Sequence, residues 1–142
     1  MEVFEAIAKR RSIRKYVPMP VPEEKLRKVL EAAQAAPSAS NRQEYKLIVV
    51  TEEETKKRLV RAAADQGFLA EAGVVIVACA TDPSRKWHAV DIAIAIDHMT
   101  LAALELGARV RNPPGRLTTE THLGLRENGR TRASSQGSRH PG

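Results

Sequence analysis

Val3, Phe4, Ile7 and Ala8 recur at three- and four-residue intervals with Glu2, Glu5 and Lys9 between them. This predicts a short amphipathic helix that runs into the basic segment RRSIRKY. A second helix is predicted over PEEKLRKVLEAAQAA, with Leu26, Val29, Leu30 and Ala33 as its apolar stripe. Pro22 is expected at its first helical position, Glu23 and Glu24 in its first turn, and Pro37 just beyond its end. Residues 45–50, YKLIVV, are short, β-branched and bounded by turn formers, and read as a strand. Thr51 and Glu54 stand at capping-box spacing, which predicts the start of the helix TEEETKKRLVRAAA.

Residues 73–80 are almost wholly apolar and of strand length, as expected for an interior strand covered on both faces. Residues 87–106 form a predicted helix that is apolar nearly all round, interrupted by His88, Asp91, Asp97, His98, Thr100 and Glu105. Such a helix belongs at the centre of a domain or in a subunit interface. Gly107 is a suitable terminator. Trp87, at the helix start, is expected to anchor packing rather than to serve as a stacking platform.

Beyond Gly107 neither period survives, and Arg, Gly, Pro, Ser and Thr dominate. The expected division is a folded unit over residues 1–107 and an atypical, poorly ordered basic tail over 108–142. The tail reads as translation in a shifted frame or as a disordered extension. Charge sharpens that division. The chain has a net charge of +6, yet the tail alone holds seven Arg, two Glu and no Lys, so the excess is not a property of the predicted fold. The tail contains no aromatic residue for base stacking, and nucleic acid is not an expected partner.

At 142 residues, 42% hydrophobic and 28% charged, the chain has the length and balance of one soluble domain. The N-terminus lacks the layout of a secretory signal, no run is suited to a membrane, and cytoplasmic localisation is expected. Cys79, the single cysteine, reads as a core thiol in a reducing compartment.

Two clusters carry candidate chemistry. Arg10, Arg11, Ser12 and Arg14 offer three guanidiniums and a hydroxyl suited to a small dianion. From charge spacing alone, a solvated basic helix end is the plainer reading. Residues 37–43, PSASNRQ, form a polar loop whose side chains both donate and accept, which suits a heterocycle edge or a polyol but equally an ordinary connection. His88, Asp91 and His98 lack metal-ligand spacing, and no metal is expected. Asp97 and His98 are adjacent on a helix and form no dyad.

Taken in order, RRSIRKY, PSASNRQEY, KLIVVT, AEAGVVIVACA and DIAIAIDHMTLAALELG resemble the nitroreductase family over residues 1–107. The resemblance implies an α+β fold: a mixed α/β sandwich with a central sheet flanked by helices, here C-terminally truncated. It further implies a homodimer with FMN at the subunit interface. By position, Arg10, Arg11, Ser12 and Arg14 correspond to the set holding the phosphate, ribityl chain and pyrimidine edge. Pro37, Ser38, Ala39 and Asn41 correspond to the loop reaching the flavin from the partner subunit, with Gln43 supporting it and Gln66 near the isoalloxazine ring. The implied activity is hydride transfer from NADH or NADPH through the flavin to nitroaromatics, quinones or similar electron-poor acceptors. Arg14 would supply positive charge near the pyrimidine carbonyls, and no dedicated acid or base is implied.

The sequence also departs from the family. Glu44-Tyr45 stands where Pro-Trp is usual, and the family's later flavin-contacting segment and strands have no counterpart in the tail. A non-catalytic flavin-binding or dimerising module therefore stays open as the alternative.

Overall fold

The computed structural model describes residues 1–13, 15, 16 and 19–108. Arg14 and the tail from residue 109 onward lie outside the described residues, and with them the expectations placed there. The elements run α1 (Val3–Lys9), α2 (Glu23–Gln34), a 3₁₀ turn (Ala39–Asn41), β1 (Tyr45–Val50), α3 (Glu53–Ala62), α4 (Phe68–Glu71), β2 (Val75–Ala80) and α5 (His88–Glu105).

β1 and β2 pair antiparallel, with Tyr45 opposite Ala80 and Val50 opposite Val75. Because side chains alternate across a strand, this register sorts the apolar residues into two layers. Tyr45, Leu47, Ile76, Ala78 and Ala80 face a cluster built with α2 and α5. Val50, Val75, Val77 and Cys79 face a smaller cluster built with Ala63 of α3, Leu69 of α4 and Ala72. The sheet is thus flanked by helices on both faces, the expected α+β sandwich. Cys79 is half-buried rather than sealed in the core.

α5 is the central helix. Ile92 and Ala95 are 0% exposed, as is Ala33 of α2, so small side chains let these two helices approach closely around one large one. The chain leaves α5 through a Schellman turn. Gly107, at φ 69°, donates its N–H to Leu104 O at 3.0 Å, and Ala108 donates to Ala103 O at 2.8 Å. Among the described residues no helix is long and apolar enough to cross a membrane.

Three further expectations are corrected, and the apolar side of α1 is located. Pro22 is the N-cap of α2, one position before the helix. No capping box forms at Thr51, because the chain extends through Glu52, which is the N-cap of α3. Glu54 is claimed instead by Lys57 at 2.8 Å. The apolar side of α1 does not meet this chain's own core: Val3 is 68% exposed, Phe4 87% and Ile7 57%, and only Ala6 is buried. Trp87 is likewise half exposed, with Lys86 Nζ 4.8 Å from its ring centroid, and does not serve as a buried anchor within the chain.

Candidate functional site

The loop between α2 and β1 is held from three directions. At one end, Gln43 Nε2 donates to Gln34 O at 3.1 Å, near the C-terminus of α2. Within the loop, Gln43 N–H donates to Ser38 Oγ at 3.0 Å. From the other side of the core, Asp91 Oδ1 accepts the Ala39 N–H at 3.0 Å. Between these anchors Ser40, Asn41 and Gln43 adopt φ of 53°, 51° and 50°. Left-handed backbone costs a non-glycine residue on the order of 1 kcal/mol or more, so such a run persists only where surrounding contacts fix it. Pro37, Ser40, Asn41 and Gln43 are exposed, while Ser38 and Ala39 are half-buried.

Tyr45, at the loop exit, donates its hydroxyl to Ala33 O at 2.9 Å. Burial raises its pKa, and the negative charge of Asp91 raises it further. A folded-state pKa above the unfolded value gives stability that is complete below about pH 10 and is lost as pH rises through the higher folded value. Tyr45→Phe is therefore expected to cost about 1 kcal/mol at neutral pH and to flatten the alkaline fall in stability. Urea unfolding at neutral and alkaline pH reads both effects; an unchanged alkaline limb would assign the fall to other groups.

The basic segment follows α1. Arg10 is half-buried, Arg11 and Ser12 are exposed, and Arg11 Nη1 donates to Ala8 O and Arg10 O, each at 2.8 Å. Among the described residues neither Arg10 nor Arg11 forms a salt bridge. The Met1 amine pairs with Glu105 at 2.7 Å, which fixes the start of α1 near the C-terminal end of α5. The 37–43 loop is fixed at the opposite end of α5 by Asp91. At 1.5 Å per residue, these two anchors stand about 20 Å apart along the helix. No hydrogen bond or salt bridge joins residues 10–12 to residues 37–43 among the described residues. Gln66 lies elsewhere again, half-buried before α4, where its carbonyl accepts the Leu69 N–H at 3.0 Å.

Asp91, weighed in the sequence only as a metal ligand and set aside, has a role that sequence reasoning missed. It is 6% exposed, and its link to the loop spans 52 positions, which no local pattern reveals. A cavity of about 740 Å³ between α2, β2 and α5, lined by Val29, Phe68, Ile76 and Met99 among others, contains none of the sequence-predicted site residues. It is a half-open and mostly apolar groove, with Lys15 and Lys25 on its lining, whereas the candidate site is polar surface. Among the described residues no three His, Cys, Asp or Glu side chains converge.

The family model described as the nitroreductase family matches residues 7–68, a stretch that contains the described part of the basic segment, the polar loop and Gln66. A Thermus thermophilus protein named NADH dehydrogenase is 51% identical over 72 residues, which is 51% of this chain and 35% of that protein. A Bacillus subtilis FMN reductase [NAD(P)H] is 38% identical over 79 residues, covering 56% of this chain and 32% of the relative. The matches thus span about a third of these two relatives' own length. A solved FMN-dependent nitroreductase from Clostridium difficile superposes with a TM-score of 0.71 at 30% identity, over 85% of this chain and 73% of that one. With helices on both faces of the sheet, and a solved family member followed over most of its length at that identity, the chain belongs to the nitroreductase family.

Proposed function

We propose that this chain is the flavin-holding part of an FMN-dependent oxidoreductase that uses NADH or NADPH to reduce nitroaromatics, quinones or similar electron-poor acceptors. The observation that carries the reading is the 38–43 loop, which lies in the segment matched by the family model, is exposed and left-handed at Ser40, Asn41 and Gln43, and is fixed by hydrogen bonds to Ser38 and Asp91. Relatives named for FMN and NAD(P)H support it.

The residues present suit FMN. Arg10 and Arg11 keep their charge unspent on any carboxylate among the described residues, and guanidinium forks match a phosphate group. Ser12 and Arg14 complete that set, while Pro37, Ser38, Ala39 and Asn41 present the polar loop, with Gln43 bracing it and Gln66 as a ring contact. The redox chemistry, hydride acceptance from a nicotinamide and delivery to an acceptor, is what FMN supplies when bound. The protein's share is to hold the phosphate, orient the ring and place positive charge beside it, with Arg14 as the proposed source of that charge.

A second copy of the chain completes the proposal. Among the described residues no hydrogen bond or salt bridge joins residues 10–12 to the 37–43 loop, and the bare apolar side of α1 is the kind of surface that a subunit contact covers. Mass by light scattering tests this: a protein that stays monomeric when concentrated counts against a two-chain site. The cytoplasm, as a reducing compartment, is the proposed location, in keeping with the lone Cys79.

The deciding experiment is the visible spectrum of the purified protein, followed by NADH or NADPH under anaerobic conditions. Flavin bands that bleach support the enzyme; a colourless protein that takes up no added FMN sinks the reading. Flavin that stays oxidised favours the non-catalytic module, a reading that draws on the broken sequence pattern after Gly107. Arg11→Ala is expected to weaken FMN binding about tenfold or more, with the far-ultraviolet dichroism unchanged. Fluorescence titration reads the affinity, and an unaltered Kd would remove Arg11 from the phosphate set.

A further inference from the structure

We infer that Asp91 is a positioning residue: from the first turn of α5 it fixes the 38–43 loop in the conformation that meets the flavin. The flavin half of this inference rests on the function proposed above; the hold on the loop does not.

Three observations converge. Asp91 is buried at 6% exposure and directs Oδ1 to the Ala39 N–H at 3.0 Å, at the start of the 3₁₀ turn. The backbone that follows carries left-handed φ at Ser40, Asn41 and Gln43, none of them glycine, so it relaxes unless held. The other anchors, Ser38 Oγ and Gln34 O, belong to the loop or to the helix leading into it, whereas Asp91 ties the loop to the central helix across the fold. What holds the loop is an acceptor oxygen at this point on α5, which a side-chain amide oxygen in the same place would also supply. An acid in the first turn also complements the positive end of α5, so a purely structural role has to be separated by experiment.

The test uses the full chain, FMN as probe and two readouts: FMN affinity by fluorescence titration, and hydrogen exchange at the Ala39 amide without flavin. Asp91→Ala is expected to raise the FMN Kd about tenfold and to speed Ala39 exchange by at least as much. Asp91→Asn, whose side-chain oxygen still accepts the bond, is expected to stay near wild type in both. Asp91→Ser, too short to reach Ala39, should behave like Asp91→Ala and serves if the alanine variant does not fold. Met99→Ala, two turns along α5 from Asp91 and buried at 5% exposure, supplies a comparison that loses stability without touching the loop or Gln66 and should leave the FMN Kd unchanged.

Equal FMN affinity in wild type and Asp91→Ala overturns the inference, as does an equal loss of affinity in Met99→Ala. A wild-type protein that takes up no FMN sinks the flavin reading instead. Exchange at Ala39 then decides the hold alone, and unchanged protection in Asp91→Ala or Asp91→Ser overturns it.

Discussion

Ile92→Ala is expected to destabilise the fold by about 3–4 kcal/mol, near the upper part of the range for truncating a fully buried aliphatic side chain. Ile92 is 0% exposed and is the largest side chain sealed this completely among the described residues. The fully buried side chains beside it in the cluster, Ala33 on α2 and Ala95 on its own helix, are too short to reach into the space it would leave. The loss combines the transfer free energy of three carbons with a cavity that does not close. For a domain of about 100 residues it corresponds to a melting temperature lowered by roughly 15–25 °C. Ile92 also adjoins Asp91, so flavin affinity should fall together with stability in this variant. Urea unfolding measures the cost; a loss under about 1 kcal/mol would mean that the α2–α5 interface repacks freely.

Gly73→Ala comes next. An added Cβ would sit 2.2 Å from Met19 O and 3.3 Å from Val21 Cγ2, so the obstacle is backbone and not the tip of a flexible side chain. Either the 19–21 segment or the approach to β2 has to shift, and overpacking of this kind costs about 3 kcal/mol. Gly67 supplies the comparison. It has nothing within 4 Å of a built Cβ, and its φ of −53° suits any residue. Gly67→Ala is expected to be neutral or stabilising by up to about 1 kcal/mol, through a less free unfolded chain. Thermal unfolding of the pair decides: equal melting temperatures would mean that the segment before α2 yields to Gly73→Ala.

Where apolar period and a stop signal coincide, the sequence was legible. α5 and its Gly107 turn follow from an unbroken apolar stretch and a glycine free to take φ 69°. Both strands were readable from β-branched runs, although β2 begins at Val75 and not at Gly73. α4 was not readable, because its four residues are too few to show a period. Thr51 misled because capping spacing records only opportunity, and Lys57 competes for the same Glu54. In the candidate site, the residue types of residues 10–14 and 37–43 were visible, and so was the family they resemble. The left-handed run at Ser40, Asn41 and Gln43 was not, since no glycine marks it. The bond made by Asp91 was invisible for a different reason: its partner Ala39 is chosen by the packing of α5 beside α2 and not by spacing. The period of Val3, Phe4 and Ile7 gave the helix correctly but left unsaid which surface it covers.

The two-layer sheet has a consequence for how evenly the site is held. Its strands are a partition: the α2–α5 cluster lies on one face, the smaller α3–α4 cluster on the other, and backbone is their main common element. Regions with less buried apolar surface open at lower free energy, without waiting for global unfolding. The polar loop and Asp91 belong to the larger layer. Gln66 belongs to the smaller one, at a turn where Ala64 and Asp65 already carry φ of 53° and 58°. Contacts made through Gln66 would therefore come and go with the breathing of the thin layer, while those made through the loop endure as long as the long helix stays packed.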